Sequence, residues 1–293
     1  MNFGNRKTFI EIDLTGLCNR IDQLSIRERQ TNTAINGRGN FFLVKQELEK
    51  PGNIQQSMGN KRGDGRANNS TLRPLACELS CLHRADGSAL WKSGSTHVLV
   101  AVYGPVAPQN INNEGDVGVV SVVIKSGKAE NSNYENETSK FISSIVSSCI
   151  DVSKFPRCII QVVLQIIQSD GSLLACLLHG TIAALMDAGI DLLYLPVATT
   201  CLVGTKNEKD YIRLDPSSIE EEEERDSSII VLVNEEKKPD RILGSHTIGS
   251  GTSLDDFLAC VQIASKACSA IPAFWRLAIE QKLKRESQTL WSR

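Results

Sequence analysis

No two cysteines in this chain have the Cys-x-x-Cys spacing, and their total of nine is odd. A disulfide framework needs paired thiols, so free thiols in a reducing compartment are the expectation. Cys77 and Cys81 lie four apart, but no second pair completes a zinc set, and buried thiols are the plainer reading. Apolar runs of the ~20 residues that a membrane span requires are missing, as is the core of a signal peptide. The expectation is an intracellular protein with no membrane association, whose Asn-x-Ser/Thr sites at Asn68, Asn69 and Asn136 carry no glycan. Neither charge dominates: 32 Lys and Arg stand against 34 Asp and Glu, for a net charge of -2. That balance argues against a strongly basic nucleic-acid module and leaves room only for a local basic patch. Histidine is scarce. His83, His97, His179 and His246 fall on different elements, and no serine or cysteine sits in a nucleophile-elbow context, so a hydrolase triad is not expected. His179, on an apolar helix, reads as a satisfied core or interface group.

What is present is a 41% share of hydrophobic residues, enough for the core of one large domain or two small ones. Residues 1–57 stand apart. "TFIEIDLTGLCNRIDQLSI" alternates at Ile10, Ile12 and Leu14, then changes to helical spacing at Leu17, Ile21 and Leu24, and sustains neither period. Residues 52–70, rich in Gly, Asn, Gln and Arg, read as a linker. The expectation is a loosely ordered extension, or a gene-model artefact, over 1–57. A domain then covers 58–293, with halves at about 70–190 and 191–293.

From Leu72 onward strand signals are dense. "RPLACELSCLHRA" and "HVLVAVYGP" flank "DGSALWKSGST", and "DVGVVSVVIKSG" adds another strand. "NETSKFISSIVSSCI" places Phe141, Ile142, Ile145, Val146 and Cys149 on one helical stripe. "IIQVVLQII" reads as a central strand, apolar on both faces. Ser172 is the expected cap of the helix that follows, and Gly189 its stop. "LLYLPVATTCLVG", "DYIRLD", "SIIVLV" and "DRILGSHTIG" form a second series of strands. The chain closes on a helix capped by Ser253 with Asp256, with Leu254, Phe257, Leu258 and Val261 as its core stripe and a break at Pro272. This order is α+β with mixed sheets and packed helices.

Three groups of residues invite chemistry. "DGSLLACLLHGTIAALMDAG" follows a strand with a tight turn and a helix start, the arrangement of an anion site. Yet Ser172, Leu173 and Leu174 line its mouth with no cation, and burying each leucine stabilises by roughly 1.5–3 kcal/mol. Packing against protein is therefore the favoured reading. In "IRLDPSSIEEEEE", Asp215 and Glu221 lie six apart, a carboxylate pair for Mg²⁺ or proton transfer. The competing reading is a turn followed by Glu220–Glu224 as a solvated first helical turn. Arg66, Arg73, Lys92, Lys125 and Lys128, with Lys61 and Arg62 nearby, are candidates to track a nucleic-acid backbone, though ordinary surface solvation accounts for them equally.

The stretches "GDGRANNSTLRPLACE", "HRADGSALWKSGSTHVLVAVYGP" and "VVLQIIQSDGSLLACLLHGTIAALMDAGI" resemble the ribonuclease PH family, nearest to its eukaryotic members in the ring of the RNA exosome. The resemblance runs from about Gly63 to Lys284. It implies two pseudo-repeated βαβα-type halves and packing of neighbouring subunits into a six-member ring. Active relatives trim RNA 3′ ends by phosphorolysis, with phosphate held by Gly-Thr-Arg or Gly-Ser-Arg at this helix start. Ser172, Leu173 and Leu174 occupy those positions here, so the phosphate site is degenerate. A second phosphate-contacting arginine has no clear counterpart near Ala129 or Glu130. Asp215 and Glu221 match the family's catalytic or metal-binding carboxylates and are its vestiges.

The resemblance therefore implies a non-catalytic ring subunit without a cofactor. Its partners would be other ribonuclease PH-like ring subunits, cap proteins, a hydrolytic nuclease and RNA, in nucleus, nucleolus and cytoplasm. Two alternatives stay open. One is an active phosphorolytic or metal-dependent 3′→5′ exoribonuclease using phosphate and Mg²⁺ at Asp215 and Glu221. The other is a free dimer that binds nucleic acid.

Overall fold

The structure is a computed structural model that describes residues 10–12, 62–66, 68–107, 118–126, 132–206, 209–223, 227–249 and 251–291. Most of the N-terminal extension, and Lys61, Lys128, Ala129 and Glu130, lie outside the described residues.

Alternating apolar residues build the first sheet. β2 (Leu75–Leu79), β3 (Gly87–Ser93) and β4 (Thr96–Val106) form an antiparallel meander. β6 (Ile159–Gln168) pairs antiparallel with β4 and parallel with β5 (Val119–Lys125). β1 (Ile10–Ile12), which carries the alternation seen at Ile10 and Ile12, adds an edge strand against β2, giving the order β1-β2-β3-β4-β6-β5. The expectation that β6 buries both faces fails. Ile160, Val162, Leu164 and Ile166 are buried, whereas Gln161, Gln165 and Ile167 are exposed on the opposite face. A glutamine at every fourth position keeps that face polar, as one-sided burial requires.

The inner face carries α1 (Ser132–Cys149) and α2 (Leu173–Asp187). The α1 stripe forms as read, with Ile142, Ile145, Val146 and Cys149 buried and Phe141 half-buried. Gly189, at φ +72°, stops α2: its N–H reaches Met186 O, and that of Ile190 reaches Leu185 O.

α2 also packs on a second, antiparallel sheet of order β10-β9-β7-β8. Its strands are β7 (Pro196–Lys206), β8 (Lys209–Leu214), β9 (Ser228–Glu235) and β10 (Ile242–Gly249), with the short α3 (Ser218–Glu223) after β8. α2 thus sits between the sheets, and twelve of its fifteen residues are buried, which is why its sequence is apolar all round.

α4 (Leu254–Ala267) packs on β7 and β9, and α5 (Ala270–Trp291) on β2. Ser253 Oγ accepts from the Asp256 N–H at 3.1 Å, the expected cap. Pro272 falls in the first turn of α5, where no intrahelical donor is lost. The core stripe is corrected in part: Phe257 and Val261 pack against the core beside the buried Cys260, Ala264 and Ala267, while Leu254 and Leu258 are 72% and 50% exposed. Small residues let α4 lie close to the sheet, and the leucines are left on its outer side. Leu254–Gln288 has the length and composition of a membrane span. It is two helices, and Cys260, Ala264, Ala270, Ile271, Phe274, Trp275 and Ala278 bury their shared face in the core.

Candidate functional site

Loops from both sheets meet at the mouth of α2. Gly171 has φ +73°, and a Cβ there would come within 2.4 Å of Pro216 O, so only glycine lets the two loops touch. Ser172 follows at φ +47°. Its hydroxyl donates to Pro216 O at 3.0 Å and accepts from no helix N–H, so the expected side-chain cap does not form. The Ser172 N–H instead donates to Glu221 Oε1 at 2.9 Å. The Ser218 hydroxyl donates to Asp170 Oδ1 at 2.7 Å, a second stitch between the same loops.

Asp215, at φ +50° and with its N–H on Thr200 O, is bound on both carboxylate oxygens. Arg73 Nη2 donates to Oδ1 at 2.7 Å, and the Arg73 backbone N–H donates to Oδ2 at 2.9 Å. The same guanidinium donates to Asp170 O and, at 3.1 Å, to Gly171 O. Burial alone would raise the Asp215 carboxyl, but the charge and hydrogen bonds of Arg73 hold it well below the usual carboxylate range. Glu221 goes the other way: burial pushes its carboxyl up, against the Ser172 N–H bond, and the nearby Asp215 and Asp170 add to the rise.

Glu220 overturns the reading of Glu220–Glu224 as a solvated turn. It is buried, accepting from Arg62 Nε at 2.8 Å and Nη2 at 2.6 Å. Burial raises its carboxyl and Arg62 more than compensates, so the group lies below its ordinary value. Glu222 and Glu223 are exposed.

The basic candidates divide. Arg73 is 3% exposed and belongs to the interior, which corrects its reading as a surface contact. Arg66 is turned inward as well: Nη1 donates to Thr71 O at 2.7 Å and Nη2 to Asp215 O at 2.8 Å, and burial lowers its affinity for its proton. A guanidinium with its donors engaged by carbonyls and carboxylates has little left for a phosphate backbone. Lys92 is half-buried at the end of β3 and Lys125 exposed at the end of β5. Register places both at one end of the first sheet, with Lys92 opposite His97, His97 opposite Gln168 and Lys125 opposite Gln165.

Leu174 is buried in the core and Leu173 packs against it, as the packing reading of the helix mouth requires. Behind the mouth lies a cavity of about 20 Å³, lined by Ser93, Ser172, His179, Thr200 and Asp215 among others. It has room for about one water molecule. His179 Nε2 accepts from the Ala198 N–H at 3.1 Å, and burial pushes the imidazole down to about 4, so it is a neutral core group.

Asp215 and Glu221 are thus brought to one mouth but are differently committed. A divalent cation requires carboxylate oxygens open to it, and those of Asp215 are engaged by Arg73. The residues do not fit Mg²⁺. Among the described residues no group of three or more His, Cys, Asp or Glu is placed to hold a metal. Sequence reading missed the roles of Arg62, Glu220, Asp170 and Thr96, whose hydroxyl donates to Gly171 O at 2.9 Å and accepts from the Asp170 N–H at 3.0 Å. Their pairings join residues as far as 158 positions apart, and no local spacing encodes them.

The profile of the 3′ exoribonuclease family, domain 1, matches residues 71–191. The "Exosome complex exonuclease RRP46 homolog" of Arabidopsis thaliana is 33% identical over 234 residues, covering 75% of this chain and 96% of the relative. Its namesake in Oryza sativa is 31% identical over 77% of this chain and 98% of the relative. The crystal structure of rice Rrp46 superposes with a TM-score of 0.65 at 33% identity, over 73% of this chain and 98% of that one. The Archaeoglobus fulgidus exosome with RNA bound to its active site, at TM-score 0.59 and 22% identity over 71% and 90%, shares the fold.

Proposed function

Because this chain belongs to the 3′ exoribonuclease family of ribonuclease PH proteins, we propose that it is an RNA exosome ring subunit of the Rrp46 type, also called exosome component five, and that it lacks phosphorolytic activity. Similarity to Rrp46 proteins across most of their length supports the ring role. One observation carries the second half: Glu221, a carboxylate of the chain itself, occupies the Ser172 N–H at the helix mouth, beside Leu173 and Leu174.

Phosphorolysis needs an inorganic phosphate held for in-line attack, and charge-assisted hydrogen bonds of roughly 1.5–3 kcal/mol each supply that grip. The mouth offers aliphatic side chains and an anion already in place. Arg73, the cation beside Asp215, has its guanidinium engaged by that carboxylate and by the carbonyls of Asp170 and Gly171. The residues of the mouth therefore hold two loops together, and the chain contributes shape and contacts to an assembly in which other subunits or an associated nuclease cut RNA.

In this reading the partners are neighbouring ribonuclease PH-like ring subunits, cap proteins, a hydrolytic nuclease and RNA. Lys92 and Lys125 are the candidate RNA contacts, and the sites of action are nucleus, nucleolus and cytoplasm. Mass spectrometry of proteins that co-purify with the tagged chain should recover ring members and cap proteins; their absence overturns the ring role. The pure protein, incubated with labelled RNA, Mg²⁺ and phosphate, should release no nucleoside diphosphate. Release that is lost in Asp215→Asn overturns the inactive reading and restores the enzyme.

A further inference from the structure

We propose that the cavity behind the mouth of α2 is a binding site for one structural water, which ties Thr200 of β7 to His179 of α2 and to Asp215. The cavity measures about 20 Å³, above the roughly 10–15 Å³ that a water molecule needs. Ser93, Ser172, His179, Thr199, Thr200 and Asp215 line it, and all of them are buried. Interior cavities stay dry when their walls are apolar. One of this size with about two to four polar partners holds water.

Three groups at the cavity have bonding capacity to spare. Thr200 Oγ1 is buried and meets no hydrogen-bond partner among the described residues, a costly position for a hydroxyl. His179 Nε2 accepts from the Ala198 N–H, so the neutral imidazole carries its hydrogen on Nδ1. No described residue accepts that hydrogen. Asp215 Oδ2 takes the Arg73 N–H at 2.9 Å, while the Ser93 hydroxyl stands off at 3.5 Å, too long for a firm bond.

The chemistry of these groups selects the occupant. A cation would face the His179 N–H and compete with Arg73 for Asp215, and an anion would face the Asp215 carboxylate. Water both accepts and donates. It takes the His179 Nδ1–H, donates to Asp215 Oδ2 and shares a bond with Thr200 Oγ1, which leaves none of the three unsatisfied. The bridge joins the second sheet to α2 from behind, as the Ser172 bonds to Pro216 and Glu221 join their loops in front. The site is independent of the exosome reading, which rests on co-purification and the RNA assay.

Nuclear magnetic resonance of the full-length protein, isotope-labelled at histidine, reads the site directly. The His179 Nδ1–H should show a cross-peak to a bound water, and a crystal structure should place its oxygen within hydrogen-bond reach of Thr200 Oγ1 and Asp215 Oδ2. Thr200→Val keeps the side-chain shape and removes the hydroxyl. It should abolish the cross-peak and lower the melting temperature, because a bonded hydroxyl is lost, whereas Thr200→Ser should keep the cross-peak. A dry cavity demands the opposite sign, since exchanging a partnerless hydroxyl for a methyl group relieves a desolvation cost and raises the melting temperature. A higher melting temperature in Thr200→Val, a cavity without water in the crystal, or a water that persists in Thr200→Val overturns the proposal. If Thr200→Val fails to fold, the cross-peak and the crystal of the unsubstituted chain decide it.

Discussion

Ser172 donates its amide hydrogen to Glu221 at 2.9 Å, while the neighbouring Glu220 takes two bonds from Arg62 at 2.6 and 2.8 Å. Two adjacent glutamates on one short helix are thus held for different physical reasons. Glu220 is half of a buried ion pair, and removing one partner of such a pair leaves the other charge uncompensated. Glu221 is an anion at a helix start, an interaction of roughly 0.3–1 kcal/mol, and burial works against its charge.

Their neutral variants should therefore diverge. Glu220→Gln strands the Arg62 guanidinium and should cost about 3–5 kcal/mol. Glu221→Gln exchanges a weak charge–dipole attraction for relief of desolvation and should shift stability by about 1 kcal/mol or less. Urea unfolding at pH 7 measures both. Equal losses would show that Glu221 also anchors the loops.

Arg73 makes a comparable prediction with a wider reach. Its guanidinium ties Asp215, just past the end of β8, to Asp170 and Gly171, which enter α2. Arg73→Met should destabilise by about 3–5 kcal/mol. The double variant Arg73→Met, Asp215→Asn should lose less than the sum of the single losses, because the charge abandoned in each single variant is absent. Additive losses in a full mutant cycle would show that the two side chains act separately.

How much of this was legible beforehand depended on the range of the interaction. The α1 stripe, the Gly189 stop and the Ser253 cap each involve residues within a turn or two, so spacing was enough to find them. Ile10 and Ile12 were legible as alternation, but their place at the edge of the first sheet was set by β2. The resemblance pointed to the helix mouth at Ser172, Leu173 and Leu174. Composition could not show that Glu221 fills it, because that contact spans 49 positions. The arginines misled for the same reason: from sequence they read as surface charge, and only the fold brings Arg62 to Glu220 and Arg73 to Asp215. Leu254 and Leu258 were misread because helical spacing identifies an apolar stripe without saying what covers it.

The two leucines of the mouth should differ in what they hold. Leu174 is 6% exposed within the core, and Leu173 only packs against it. Leu174→Ala should cost about 2–5 kcal/mol through lost burial and a residual cavity. Leu173→Ala should cost less, because part of that side chain is already in water. Thermal or urea melts of both variants settle the order. If Leu173→Ala is the more damaging, the packing account of the mouth is wrong.

His179 gives the fold a pH dependence of known sign. Burial pushes its folded value down to about 4, whereas an unfolded histidine titrates near 6.5. Between those values the unfolded chain binds a proton that the folded chain refuses, so stability is complete above about pH 6.5 and falls as pH drops toward 4. The limiting slope is about 1.4 kcal/mol per pH unit, and the loss across the window is about 3 kcal/mol. Asp215, held low by Arg73, keeps its contribution throughout this range, since a depressed carboxylate loses stability only at lower pH. Urea midpoints between pH 7 and 4.5 should follow this decline in the native chain. In His179→Gln, where the accepting nitrogen is replaced by an amide oxygen that does not titrate, the curve should flatten even if the whole variant is less stable. An equally steep decline in His179→Gln would assign the dependence to other groups.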